Sequence, residues 1–326
     1  MIPSRPPYEA GARYYSLGSY YKKTFGEPIR KISLDAHFSC PNIDGTVGRG
    51  GCVFCDAVSF SPSRRLGLDD LDAQIDEGIR RTSARFGASK FVAYFQPSTN
   101  TYAPVDVLEK AFRIALRRPE IVGLAIGTRP DALEDEKLDL LASLSREKWL
   151  SLEIGLQSSL DRTLRLINRG HDYRCFVDAV ARARARGLRL GTHLVFGLPG
   201  ESREDARLTA RRVASLGLDS VKLHNLSVVK NTALEKMWRR GEYEPPGLEE
   251  YAEIAADALE RLPSEMVIER VAGDVGSEFL VAPEWSSRKN AGKNAVERVL
   301  RDRGTWQGAA FDPRWRDPDL EDERHL

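Results

Sequence analysis

Cys40, Cys52 and Cys55 stand in CPNIDGTVGRGGCVFC, a Cys-x11-Cys-x2-Cys array. Three thiolates from one loop can each take an iron of a 4Fe–4S cluster and leave the fourth iron open to a small ligand, since cysteine is the usual ligand of such clusters. The glycines between Cys40 and Cys52 suit a loop that folds tightly around an inorganic core. Phe54 falls between the last two cysteines, where an aromatic ring can shield a cofactor.

Two other uses of cysteine compete. A zinc site would recruit Cys175 as a fourth ligand. Structural zinc sites usually pair two short Cys-x2–4-Cys knuckles, however, and this chain has one. Cys175 lies in the helix-like stretch GHDYRCFVDAVARA, where a lone cysteine reads as a small core residue. Disulfides fit less well, because four cysteines without an apolar signal segment point to a reducing, cytoplasmic setting. The net charge of +1 over 326 residues exerts no global pull toward nucleic acid. No apolar run approaches a membrane span, so no membrane partner is expected.

The array must be carried by a scaffold, and the middle of the chain alternates strand and helix patterns. Strands are predicted at 29–36, 90–95, 121–126, 150–156, 189–196 and 220–225, with amphipathic helices between them, as in Val105, Leu108, Phe112 and Leu116. Six such units argue for parallel strands with crossover helices, either a partial barrel or a flat doubly wound sheet. In both, polar residues gather at the C-terminal strand ends. Gln96, Ser98, Thr99 and Asn100 follow the second strand, and Thr128, Arg129 and Asp131 follow the third. On the fourth, alternation puts Glu153, Gly155 and Gln157 on one face, a carboxylate and an amide flanking a bare glycine. On the sixth, Lys222 and His224 share a parity and are candidates for substrate contact or proton handling; a satisfied core histidine is the alternative for His224.

The wording CPN.DGT.G.GGC.FC, with its wide first gap, resembles the cluster loop of radical S-adenosylmethionine (radical SAM) enzymes, in the branch containing the elongator catalytic subunit. The whole chain, from about Tyr14 to its last helix, resembles a family of uncharacterised bacterial radical SAM proteins of about this length. The resemblance implies an α/β fold built on a partial (βα)6 TIM-type barrel over 29–245, with the cluster loop at 40–55. Around it stand an N-terminal arm (1–28), a C-terminal α/β extension (246–310) and a flexible tail (311–326). It implies a 4Fe–4S cluster held by Cys40, Cys52 and Cys55, and S-adenosylmethionine as cosubstrate. Reductive cleavage of S-adenosylmethionine would give a 5′-deoxyadenosyl radical that removes hydrogen from a substrate, with a flavodoxin or ferredoxin as reductant. Gln157 and Arg169, twelve residues apart, match the spacing at which coproporphyrinogen-type and elongator-like enzymes contact the methionyl or ribose part. Glu153, Gln96 and Thr99 join that expected contact set, although the chain lacks the glycine-rich segment that usually follows the second strand. An ion pair between Glu153 and Arg169 is the plainer alternative. In THLVFGLPGE, His193 stands where related enzymes have an aspartate near the ribose, and Gly197 would admit adenine close to backbone.

The substrate is less legible. The segment RPPYEAGARYYSLGSYYKKTFGEPIRK mixes six basic residues with aromatics, and eight arginines fall between Arg162 and Arg189. Such mixtures suit RNA phosphate contact and base stacking. The alternative is that the tyrosines pack the arm onto the barrel and the arginines form a solvated helix face, which the low net charge favours. Both tRNA and a small metabolite are candidate substrates. An iron–sulfur electron carrier without SAM turnover and a zinc-stabilised binding module are the other readings of the cysteines.

Overall fold

The computed structural model describes Tyr8, residues 11–56, Ser59, Ser61 and residues 65–321. Its strands are β1 (Arg30–Leu34), β2 (Phe91–Phe95), β3 (Ile121–Thr128), β4 (Trp149–Gln157), β5 (Arg189–Phe196), β6 (Ser220–Asn225), β7 (Val228–Val229), β8 (Val267–Arg270) and β9 (Leu280–Ala282). The helices are α1 (Leu17–Phe25), α2 (Leu71–Phe86), α3 (Val105–Leu116), α4 (Asp135–Glu147), α5 (Asp161–Leu166), α6 (Tyr173–Ala185), α7 (Arg203–Ser215), α8 (Ala233–Arg239), α9 (Leu248–Arg261), α10 (Ala291–Asp302) and α11 (Pro318–Glu321). The fold is α/β, a partial barrel whose sheet runs β1-β2-β3-β4-β5-β6-β8. The barrel sheet has seven strands rather than six, because the stretch predicted in the C-terminal extension pairs parallel with β6 as β8, Ser220 opposite Val267. Pairing covers a row of β6 N–H and C=O groups that would otherwise be an open edge.

The chain divides into two compact units. In the first, Tyr20–Leu156 with Asn168–Thr192, β1 to β4 pair parallel in rows. Lys31, Val92, Gly123 and Trp149 form one, and Ser33, Tyr94, Ala125 and Ser151 another two positions on. All five residues of β2 are buried, as expected of a parallel strand covered on both faces. Trp149 closes the N-terminal end of these strands. Its indole donates to Tyr20 Oη at 3.0 Å and meets Tyr21 and Phe25 edge-on at 5.6 and 6.1 Å. A methyl group on Gly123 would collide with the Trp149 carbonyl, so glycine there makes room for this plug. Helix ends are set locally. Asp70 caps α2, whose C-terminus turns at Gly87 in the left-handed region, and Asp172 caps α6 through the Cys175 N–H.

In the second unit, Met1–Ser19, Gln157–Ile167 and His193–Leu326, α7, α9 and α10 are stapled by the Asp257 carboxylate. It accepts from Arg203 at 2.8 Å, Arg207 at 2.8 Å and Arg303 at 3.0 Å. Burial alone would raise this carboxyl's pKa, but Arg203, Arg207 and Arg303 outweigh it and hold the group below its ordinary value. Ser202 and Asp205 form a capping box at the start of α7. The N-terminal arm is woven in: Ile268 donates to Tyr15 O at 2.8 Å, and the buried Gln307 side chain accepts from Tyr15 N at 2.8 Å. Tyr14 is buried and donates to Glu297 at 3.1 Å. These contacts favour packing over RNA stacking for the arm's tyrosines. Trp285 is likewise core, donating to Pro246 O at 3.1 Å and packing on Tyr251. Within the stretch expected as a flexible tail, Asp317 is buried and pairs with Arg212 at 3.2 Å; residues 322–326 lie outside the described residues. No helix among the described residues is long and apolar enough to cross a membrane.

Tyr21 is 2% exposed and touches Phe25 and Trp149. Tyr21→Ala should cost about 3 kcal/mol, the usual loss for emptying a buried aromatic site. Urea unfolding measures it; a variant as stable as the parent would return these tyrosines to the role of a free RNA-binding arm.

Candidate functional site

The cluster loop is held at its start by a buried amide. Gln74 accepts from Asp35 N at 2.8 Å and donates to Asp35 O at 2.9 Å, as a neighbouring strand would. The Asp35 carboxylate accepts from His37 N at 2.8 Å and Ser61 Oγ at 3.0 Å. His37, in the left-handed region at φ 57°, turns the chain toward Cys40. Within the loop Val47 N bonds to Pro41 O, Gly51 N to Asn42 O, and Cys55 N to Cys52 O at 2.9 Å, the last closing the Cys-x2-Cys turn. Thr46 and Tyr102 link the loop to the segment after β2 at 2.8 Å.

Two N–H donors converge on the Cys52 sulfur. Asn42 Nδ2 is 3.7 Å from Sγ, and Arg169 Nη1 is 3.6 Å from it. A neutral thiol accepts weakly, so a cationic and an amide donor aimed at one sulfur match a thiolate. The same Asn42 Nδ2 donates to Asn168 O at 2.5 Å, and Asn168 Nδ2 returns to Gly51 O at 2.8 Å. The Asn168–Gly170 turn after α5 is thereby locked to the cluster loop.

Arg169 is fixed from three sides: Nη2 donates to Gly155 O at 2.7 Å, Nε to His171 Nε2 at 2.9 Å, and its carbonyl accepts from Arg129 at 2.8 Å. His171 Nδ1 lies 3.1 Å from Asp172 O, so its proton belongs on Nδ1 and Nε2 is the acceptor. Burial, then the charges of Arg169 and Arg129, push the His171 pKa down to about 2. Arg129 is buried and grips Asp131 through two bonds of 2.8 and 2.6 Å. Burial opposes its charge, but Asp131, then the negative fields of Cys40 and Cys52, raise its pKa.

The three thiols share one electrostatic site. Cys55 is an exposed residue, yet crowding around its sulfur, then the charges of Cys52 and Cys40, raise its pKa to about 12. Three like charges need positive partners, and Arg169 and Arg129 are the cations in their field. This donor set fits an anionic cluster. Burial, then Asp131 and Asp172, raise the Cys175 thiol to about 11. Among the described residues no three His, Cys, Asp or Glu side chains, the loop cysteines included, are drawn together as metal ligands.

Gln96 donates to Ser33 Oγ at 2.9 Å, and the Asn100 amide knits its loop to Phe95, Pro97 and Gly127 carbonyls. Thr99 N approaches Ser39 O, next to Cys40, while the fully buried Thr99 Oγ1 has no hydrogen-bond partner. An orphaned hydroxyl beside the first cysteine suits a polar ligand such as the methionyl part of S-adenosylmethionine. Glu153 pairs with Lys31 at 2.6 Å, not with Arg169, and Lys31 lies over the Tyr94 ring at 4.7 Å. The intermediate exposure of Phe54 leaves its ring partly open beside Cys52 and Cys55.

In the second unit, Gln157 ends β4 at φ 78°, a strained position for a residue with a Cβ. Ser158 next to it bonds the Glu201 carboxylate of GLPGE, which burial raises above its ordinary pKa. Gly197, at φ 83°, accepts from Tyr243 Oη at 2.7 Å, and the space a Cβ would need is filled by Pro246 at 2.6 Å. Its bare face thus meets Pro246 rather than standing open. His193 and His224 place their rings 5.5 Å apart, and Lys222 pairs with Glu269 at 3.6 Å, both nearly buried. The remaining arginines of the 162–189 stretch include helix staples: Arg162 pairs with Asp205, Arg182 with Asp178 and Arg186 with Asp139.

Asn42, His171 and Lys31 were not singled out from sequence. Lys31 carried a readable signal, since polar Lys31, Ser33 and Asp35 alternate with Ile32 and Leu34 in β1.

Residues 44–213 match the family model described as the radical SAM superfamily, and residues 218–302 match the radical SAM C-terminal domain. YtqA of Bacillus subtilis (strain 168) is 38% identical over 313 residues, 95% of this chain and 97% of its own. A tRNA uridine(34) acetyltransferase of Methanocaldococcus infernus is 29% identical over 178 residues, 53% of this chain and 33% of its own. The solved structure of the archaeal Methanocaldococcus infernus Elp3 with an N-terminal deletion superposes with a TM-score of 0.67 at 20% identity, covering 86% of this chain and 64% of that one. That likeness establishes the partial-barrel fold.

His171 gives the site a pH signature. An unfolded histidine takes a proton below about 6.5, whereas folded His171 stays neutral down to about 2. Between these values the unfolded chain holds the extra proton, so stability falls as pH falls. His171→Gln keeps an acceptor for Arg169 and cannot charge. Urea unfolding at pH 7, 6 and 5 should show the variant losing less stability than the parent, by at most about 1.4 kcal/mol per pH unit; parallel slopes would contradict the assignment.

Proposed function

Because the chain belongs to the radical SAM superfamily, we propose that Cys40, Cys52 and Cys55 hold the 4Fe–4S cluster at which it reductively cleaves S-adenosylmethionine. Enzymes of the family use these two cofactors, which together supply a 5′-deoxyadenosyl radical able to remove hydrogen from a substrate. The observation that carries the residue assignment is the convergence of Asn42 and Arg169 on the Cys52 sulfur, inside an array of three thiols that feel one another's charge. Arg129 adds a buried cation. Thr99, with its unpartnered hydroxyl, binds the methionyl part, and Gln96 and the strained Gln157 are assigned to the same cofactor. His193 borders the nucleoside part, and Phe54 shields the cluster. Lys222 and His224 face the substrate.

A nucleoside in tRNA is the substrate class to try first. Support comes from the relative named as a tRNA uridine(34) acetyltransferase, whose aligned stretch covers half of this chain. The electron comes from a small reductant of the flavodoxin or ferredoxin class.

Anaerobic reconstitution with iron and sulfide, dithionite reduction and chromatography for 5′-deoxyadenosine test the reading. The parent should produce 5′-deoxyadenosine only with S-adenosylmethionine present. Cys40→Ala, Cys52→Ala and Cys55→Ala should each lose both cluster and product, while Cys175→Ala keeps its iron. A stable cluster without 5′-deoxyadenosine would point to electron transfer, and bound zinc without a cluster would overturn the reading. Bulk tRNA raising the yield of 5′-deoxyadenosine would support the substrate class; a yield it leaves unchanged would count against it.

A further inference from the structure

The three cysteine sulfurs are not equivalent. Among the described residues, the N–H···S contacts fall on Cys52: Asn42 Nδ2 at 3.7 Å and Arg169 Nη1 at 3.6 Å. Asn42 is fully buried and held on both sides by glycines. A Cβ on Gly48 would collide with its Oδ1, and one on Gly170 would come within 2.8 Å of it. The amide therefore cannot be replaced by a larger side chain or swing away without displacing the Asn168–Gly170 turn, to which it is bonded at 2.5 Å. Its Oδ1 has no hydrogen-bond partner, so the side chain is placed by what its Nδ2 does. Aligning one amide donor at a cost in unsatisfied oxygen is intelligible if the sulfur it faces must be electron-poor.

Resting on the assignment of Cys52 as a cluster ligand, we propose that Asn42 is a positioning residue that sets the cluster's reduction potential: it donates to the Cys52 sulfur and holds Arg169 in place to donate beside it. Hydrogen bonds to ligand sulfurs withdraw charge from the metal core and favour the reduced state, a principal means by which proteins adjust iron–sulfur potentials. The two donors come from different segments, Asn42 from the loop itself and Arg169 from the turn after α5. The turn is locked to the loop by Asn168 Nδ2 on Gly51 O at 2.8 Å, so the pair works as one unit. The reaction concerned is the transfer of one electron from dithionite to the oxidised cluster, with no proton or group transferred.

The test is an anaerobic dithionite titration of reconstituted protein, without S-adenosylmethionine, followed by electron paramagnetic resonance. Parent, Asn42→Ala and Arg169→Gln are compared, with iron and sulfide content measured on each. Both variants should bind iron near the parental level, yet reduce at lower potential, each by roughly a tenfold change in the equilibrium constant, ~59 mV for one electron. The double variant should shift further. Variants that lose iron while the remaining cluster keeps the parental potential would show that Asn42 only packs the loop, and would overturn the proposal. If Asn42→Ala fails to take up iron, Arg169→Gln decides alone, since it removes the cationic donor from the Cys52 sulfur; an unshifted potential there overturns the idea. A parent that binds no cluster would instead overturn the ligand assignment beneath it.

Discussion

Three thiolates within sixteen residues repel one another, and the rest of this site is arranged around that repulsion. Burial, then the charges of Cys52 and Cys40, push the Cys55 thiol up to about 12. The chain answers with fixed donors and cations: Asn42 and Arg169 on Cys52, and Arg129 in the field of Cys40 and Cys52. Each is itself held. Asp131 grips Arg129, and the neutral His171 accepts from Arg169 without adding a competing positive charge. Burial first, and then the two arginines a protonated His171 would confront, hold its pKa so low.

The strands position this shell by simple geometry. β1 delivers the cluster loop, β2 the Gln96–Thr99 segment, β3 Arg129 and β4 Gly155, at or near their C-terminal ends, while Glu153 sits mid-strand in β4. At the opposite end Trp149, Tyr20, Tyr21 and Phe25 close the strands. Chemistry and plugging are thus separated by the direction of the parallel strands. Three non-glycine residues in the left-handed region, His37, Ser98 and Gln157, fall at or just after the ends of β1, β2 and β4, and a fourth, Asn168, follows α5. Strain concentrated in such loops is what a site shaped for a ligand requires.

Much of this was legible in the sequence, and the boundary between legible and hidden has a physical cause. The stretches RLGTHLVF and SVKLHN, each between helix-like segments, placed β5 and β6 at their observed limits, Arg189–Phe196 and Ser220–Asn225. The cysteine array could be read because its ligands are near neighbours in the chain. The shell around it could not, because Asn42 meets Asn168 and Lys31 meets Glu153 more than a hundred residues away. For the same reason alternation put Glu153 on the inner face but could not say that Lys31 would claim it. Pro246 filling the space at Gly197 was hidden too, since a glycine signals a close approach and not what approaches. β8 was seen as a strand and assigned to the extension, because pairing with β6 depends on an edge that no local pattern reveals.

The central claim is that this loop holds one four-iron cluster by three cysteines and presents the fourth iron to S-adenosylmethionine. Mössbauer spectroscopy of protein reconstituted with iron-57, recorded before and after adding S-adenosylmethionine, tests it most directly. The account predicts a four-iron cluster in which a single iron site changes its isomer shift on addition, the other three remaining as they were. Four irons that all ignore S-adenosylmethionine, or iron bound in no cluster at all, would contradict it.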